Sequence, residues 1–202
     1  MRRTLLHLFA LLPFAIAAQT GHMGPRFGPA FATLSAGGLF QNTGDLMAGP
    51  LVGWHFEAPL HPQVSLMPEI LYLTKGFANR NPAQAVRNRQ TYHYLEVPIL
   101  IKASLDKNEN GIYLLAGPSV GYFLRGRSRT WQENELLWDF KFNTPINGRK
   151  LQMSGLVGMG LEGERWAFDV RAMTSVTPFD RIQRLQNVVY ALTFAYRIPG
   201  KS

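Results

Sequence analysis

Polar and apolar residues alternate with a period of two along most of this chain, most clearly over Tyr92–Leu124. Leu95, Val97, Ile99, Ile101, Ala103 and Leu105 share one face, against Glu96, Pro98, Leu100, Lys102 and Ser104 on the other. After a polar turn at Asp106–Gly111, Ile112, Leu114, Ala116, Pro118, Val120 and Tyr122 oppose Tyr113, Leu115, Gly117, Ser119, Gly121 and Phe123. Period two over about eleven residues predicts a strand. That length also suits a tilted strand crossing a bilayer.

The pattern recurs weakly at Phe31–Phe40, then at Leu51–Leu60, Val64–Thr74, Lys150–Glu162, Trp166–Ser175 and Val188–Ile198. Short connections at His61–Gln63, Asp106–Gly111 and Gly163–Arg165 alternate with long ones at Gln41–Pro50, Lys75–Thr91, Arg125–Arg149 and Pro178–Leu185. A soluble sandwich has no reason to alternate loop length in this way, whereas outer-membrane barrels pair short periplasmic turns with long outer loops. The prediction is an all-β protein, an eight-stranded antiparallel up-and-down transmembrane β-barrel over residues 30–202. Leu137–Phe142 alternates again ahead of Asn147-Gly148, a hairpin turn signal. It is expected as a ribbon projecting outside, continuous with the strand at Lys150–Glu162. A ten-stranded barrel would need a partner near Arg127–Gln132, which carries little apolar face.

Strand parity assigns the faces. The inward set gathers Glu57, Glu69, Glu96, Lys102, Asp169, Arg171 and Arg197, with Glu162 on the same parity. Unpaired charges there are costly, so these residues are expected to form a structural, salt-bridged plug. Ion conduction is the weaker reading, because an eight-stranded barrel is filled by its own side chains. Trp54, Tyr72, Phe77, Tyr92, Tyr94, Tyr122, Trp166, Tyr190 and Tyr196 lie near predicted strand ends and suit interfacial girdles.

Composition sharpens the compartment. Arg2 and Arg3 precede the apolar run Leu5–Ile16 and the small residues Ala15, Ala17 and Ala18, so residues 1–18 read as a signal peptide. Residues 19–29, rich in Gly and Pro, read as a periplasmic lead-in. The chain has no cysteine, so neither disulfides nor a lipoprotein anchor are expected. A formal charge of +8 would suit nucleic acid, but export argues against that partner and favours anionic headgroups. Arg80, Arg87, Arg89, Arg125, Arg127 and Arg129 sit just outside the strands, where lipopolysaccharide is their natural counter-charge.

Candidate chemistry is sparse. His55 falls inward near Glu57, but no serine partner is identifiable for it or for His93. There is no metal-spaced cluster, and Gly155–Gly160 sits inside a strand rather than opening a helix. No catalytic, cofactor-binding or metal-binding residue is assigned, no cofactor is expected, and the protein is read as not an enzyme. Two other readings stay open: a lipid-modifying barrel enzyme using His55 or His93, and a soluble exported barrel binding a small apolar ligand.

The segments SLMPEILYLTKGF, YHYLEVPILIKASL, GIYLLAGPSVGYFLRG and FDVRAMTSVTPF resemble the outer-membrane β-barrel family called PorT-like, abundant in Bacteroidetes. The sharpest points are Pro68-Glu69, Tyr94-Leu95-Glu96-Val97-Pro98 and Ala116-Gly117-Pro118. The resemblance implies a location in the cell outer membrane, assembly by the outer-membrane assembly machinery, and lipid and lipopolysaccharide as surroundings. The leading expectation from the residues themselves is a non-enzymatic barrel that presents loops outward, for envelope structure, adhesion or binding of an unidentified extracellular or envelope protein.

Overall fold

The computed structural model describes residues 21–35, 44–81, 83, 85–106, 110–145, 150–177 and 186–200. The predicted signal peptide, the turn at Asn147-Gly148 and the loop at Pro178–Leu185 fall outside the described residues. Among the described residues the structure is all-β, in antiparallel strands. They are β1 (His22–Ser35), β2 (Met47–His61), β3 (Val64–Asn81), β4 (Val86–Ser104), β5 (Gly111–Gln132), β6 (Glu135–Phe142), β7 (Leu151–Glu162), β8 (Trp166–Ser175), β9 (Gln186–Tyr196) and β10 (Ile198–Pro199).

The order is β10-β1-β2-β3-β4-β5-β7-β8-β9, and β1 also pairs with β9 from Arg26 opposite Ala195 to Ser35 opposite Gln186. The result is a barrel-like ring. Strand alternation places Leu95, Val97, Ile99 and Ile101 of β4 on the exposed outer face, and buries Glu96, Leu100 and Lys102. On β5 the exposed Ile112, Leu114, Val120 and Tyr122 back the buried Tyr113, Leu115, Ser119 and Phe123 in the same way. An apolar exterior around a charged interior inverts the arrangement of a water-soluble protein. Parity slips at the irregular pairing of Pro59 and His61, where Ala58 is buried and Pro59 exposed, and again on β5 opposite His93 and Tyr94, where Leu124 and Arg125 are both exposed.

Four sequence expectations need correction. Residues 22–29, read as lead-in, belong to β1 and pair with β2 from His22 opposite Glu57 to Pro29 opposite Pro50. Gly and Pro there mark a crowded strand rather than a loop. A Cβ on Gly28 would lie 1.9 Å from the Leu192 carbonyl oxygen, so only glycine lets β1 and β9 approach this closely. The segment Lys75–Thr91 is not a loop for most of its length, because β3 and β4 stay paired out to Asn81 opposite Val86. Beyond the lipid neither face has to be apolar, so the ladder continues without the alternation that reveals it.

Arg125–Arg149 likewise contains the end of β5 and all of β6. The ribbon pairs with Gly126–Gln132 of β5, on the same edge that pairs with β7 over Gly111–Tyr122, so it runs in line with the strand that follows it as expected, while staying off the ring. Its two-residue turn is Glu133-Asn134, with φ of 50° and 73°. Two positive φ values in a two-residue hairpin loop suit the right-handed twist of the strands. Finally, Tyr92 and Tyr94 are buried, not in an interfacial girdle, and pack with Phe123 and Phe142 at the long-hairpin end of the interior.

Candidate functional site

The interior is charged, and its charges are matched in layers. In the middle layer Arg171 forks onto Glu69, Nη1 to Oε2 at 2.6 Å and Nη2 to Oε1 at 3.0 Å. Its Nε donates to Asp169. Arg26 lies between the same two carboxylates, with Nε 3.1 Å from Glu69 and Nη1 donating to Asp169. Arg26 Nη1 also donates to Thr193 Oγ1 at 2.6 Å, and that hydroxyl donates onward to Asp169 at 2.6 Å. Tyr113 Oη completes the shell of Asp169 at 2.7 Å.

Toward the short turns, Lys102 pairs with Glu57 and lies 2.6 Å from Glu162. Arg197 reaches Glu162 at 3.3 Å and Glu57 at 3.7 Å, and Ser104 donates to Glu162 at 2.9 Å. Toward the long hairpins, Lys75 binds Glu96 and Gln152, both at 2.9 Å. Ser119 donates to Glu96 at 2.8 Å, and the Lys75 ammonium sits 4.7 Å from the Tyr94 ring centroid.

Among the described residues the buried charges are Arg26, Lys75, Lys102, Arg171 and Arg197 against Glu57, Glu69, Glu96, Glu162 and Asp169. Five cations meet five carboxylates. Burying one unpaired ion costs several kcal/mol even after relaxation, so this balance decides whether the interior is tolerable at all.

The structure brings all seven residues of the expected inward set into these layers. Arg26 and Lys75 were missed, and Glu162, although read as inward, was not assigned to the network. Lys75 holds the parity of Glu69 but lies one residue beyond the predicted strand Val64–Thr74. Arg26 lies in the Gly- and Pro-rich stretch whose composition predicts a lead-in.

The two histidines do not share a site. His55 is buried inside, opposite Glu69 in the β2–β3 register, and its Nδ1 has no partner. It lines an internal cavity of about 10 Å³ together with Arg26, Glu57 and Tyr113, space for about one water. His93 stacks on Tyr72, with Nδ1 2.7 Å from the Tyr72 hydroxyl. Among the described residues no group of three His, Asp or Glu side chains is placed to hold a metal ion.

Residues 17–181 match the family described as outer membrane protein beta-barrel domain. The chain belongs to that family. Its location is therefore the outer membrane, and the apolar outer face is the one such a domain turns to lipid. Among solved structures the chain is similar to Ail, the attachment invasion locus protein of Yersinia pestis, in complex with the heparin analogue sucrose octasulfate. The TM-score is 0.52 at 10% identity, over 88% of this chain and 99% of that one. It is also similar to Neisserial surface protein A, with a TM-score of 0.50 at 7% identity, over 87% of this chain and 97% of that one. At such identities the likeness concerns the fold. No curated protein matches the chain in sequence.

Proposed function

We propose that the ring is a closed eight-stranded up-and-down transmembrane barrel, and that its interior network is a structural plug, neither a conduction path nor a catalytic centre. The observation that carries this reading is the equality of buried cations and carboxylates inside an apolar exterior. A pore keeps charges hydrated, whereas here Arg171, Glu69 and Asp169 spend their hydrogen-bonding capacity on one another. The outward business of such a protein is then left to the strand extensions and loops, for envelope structure, adhesion or binding of an extracellular or envelope protein.

The finer resemblance to the PorT-like barrels of Bacteroidetes belongs to the same proposal. So do the division into a signal peptide, a barrel starting near His22, and assembly by the outer-membrane machinery. The long β3–β4 and β5–β6 hairpins are placed outside the cell and the turns at His61–Gln63 and Gly163–Arg165 in the periplasm.

Membrane fractionation and heat-modifiable gel migration test the barrel. The expected result is recovery with the outer membrane and a faster-migrating form before boiling; a soluble monomer without detergent would overturn it. Planar-bilayer recordings test the plug, which is expected to give no steady porin-like conductance. A stable ohmic current from the folded monomer would refute that part.

A further inference from the structure

Beyond the apolar band, β3, β4, β5 and β6 continue as a four-stranded sheet. Directly opposed residues of neighbouring strands share a face, so the register defines what this face presents. One row sets Arg80 opposite Arg87 and Arg87 opposite Trp131. The next sets Arg89 opposite Arg129 and Arg129 opposite Asp139, and the third sets Arg127 opposite Lys141.

Two of these oppositions are arginine against arginine, an arrangement that costs a sheet stability instead of adding to it. The nearby carboxylate relieves them only in part: it lies opposite Arg129 but spends its hydrogen bonds elsewhere. Asp139 is engaged by Arg127, whose Nε donates at 2.7 Å to one oxygen while Nη2 donates to the other. Trp131 meets two of the remaining guanidiniums, Arg129 at 5.3 Å and Arg87 at 5.8 Å from its ring centroid, while Arg89 Nη2 donates to the Ala48 carbonyl at 3.2 Å. The Nε atoms of Arg89 and Arg129 are shielded from solvent and have no hydrogen-bond partner. Partial burial and the neighbouring Arg129 and Arg87 also push the Arg89 guanidinium below its ordinary pKa. A cluster in this state has unspent donors and unneutralised charge.

We propose that this face, Arg80, Arg87, Arg89, Arg127 and Arg129 around Trp131, binds the phosphorylated saccharide headgroup of the outer-leaflet glycolipid. Guanidinium forks match phosphate oxygens two at a time, which a scatter of lysines would not do. The occupant follows from position and charge: the face continues strands that leave the bilayer, and what surrounds them there is an anionic, phosphate-bearing headgroup layer. The assignment rests on the orientation proposed above, with the long hairpins outside.

The test uses the full-length folded protein in a zwitterionic detergent, with Trp131 near the reporting site. Titration with bis-phosphorylated lipid A in mixed micelles is expected to give saturable binding that weakens as salt rises. Enzymatically dephosphorylated lipid A, and the Arg87→Gln/Arg129→Gln variant with unchanged heat-modifiable migration, are each expected to lose at least tenfold in affinity. Equal binding of the dephosphorylated lipid, or no loss in the variant, would overturn the proposal. So would preference for a sulfated polysaccharide such as heparin over lipid A.

Orientation is read separately. Since the chain has no native cysteine, Gln132→Cys in whole cells should react with a membrane-impermeant maleimide. Absence of labelling would sink the orientation and this proposal with it. Labelling without phosphate-dependent binding would sink the lipid site alone.

Discussion

Substitution of Arg171 by methionine removes the cation that both Glu69 and Asp169 share. Arg171 gives Glu69 two hydrogen bonds at 2.6 and 3.0 Å and gives Asp169 its Nε. After the change two buried carboxylates are left around the single guanidinium of Arg26. Removing one partner of a buried ion pair costs about 3–5 kcal/mol, chiefly because the other charge stays buried without compensation. At about 1.4 kcal/mol per factor of ten, that is roughly a 150- to 4,000-fold fall in the folding equilibrium constant.

The single variant does not separate lost charge from lost packing, so Glu69→Gln and the double variant complete a cycle. Removing both members restores neutrality, and the double variant is expected to cost about as much as one single variant, leaving a coupling of about 3–5 kcal/mol. The assay is reversible urea unfolding in lipid vesicles, read by tryptophan fluorescence and by migration of unboiled samples. With a slope of about 2 kcal/mol per molar urea, Arg171→Met should move the midpoint down by about 1.5–2.5 M. Costs that add to within about 0.5 kcal/mol would refute the reasoning, because residues sharing one charge balance must couple.

Three other outcomes are expected. Gly28→Ala places a Cβ 1.9 Å from the Leu192 carbonyl and should abolish the heat-modifiable form, while Gly155→Ala, with nothing within 4 Å of the added Cβ, should fold normally; equal yields of the two would show that β1 and β9 are not held this closely. Trp166 packs tilted against Phe194 and Tyr196 with centroids 4.6 and 4.5 Å apart, so Trp166→Ala should destabilise the barrel by about 1–3 kcal/mol in the same unfolding assay, each aromatic pair contributing about 0.5–1.5 kcal/mol. The hydrogen bond from Arg127 holds the Asp139 carboxyl below its ordinary value of 3.8. A depressed carboxylate stabilises above its unfolded pKa and loses that contribution as pH falls through the folded one. Amide exchange of β6 should therefore be flat from pH 5 to 8, after correction for intrinsic rates, and accelerate only below about 3.8; acceleration near pH 6 would contradict the pairing.

Strand positions and faces were legible in the chain wherever lipid imposes them. Between Leu95 and Phe123 one face must be apolar and the other fills a narrow interior, so a period of two is written into the residues and the inward Glu96 and Lys102 could be picked out. Outside that band the constraint lapses. Arg87, Asn88, Arg89 and Gln90 carry no alternation, yet they pair residue for residue with β3 and β5, because backbone hydrogen bonding is indifferent to side-chain polarity.

The candidate site divides along the same line. Parity alone placed Glu57, Glu69, Asp169 and Arg171 inside, but it does not say which carboxylate meets which cation. Glu69 and Arg171 are 102 residues apart and meet only because the ring brings β3 across from β8. Arg26 was hidden in a Gly- and Pro-rich stretch whose composition resembles a loop, and it enters the network once Gly28 lets β1 press against β9. The arginine face depends on register in the same way: its residues are scattered through the chain, and only pairing of β3, β4 and β5 sets Arg80 against Arg87 and Arg89 against Arg129. Local pattern determines which way a side chain points. What it meets there was decided by strand pairing over distances that no local pattern encodes.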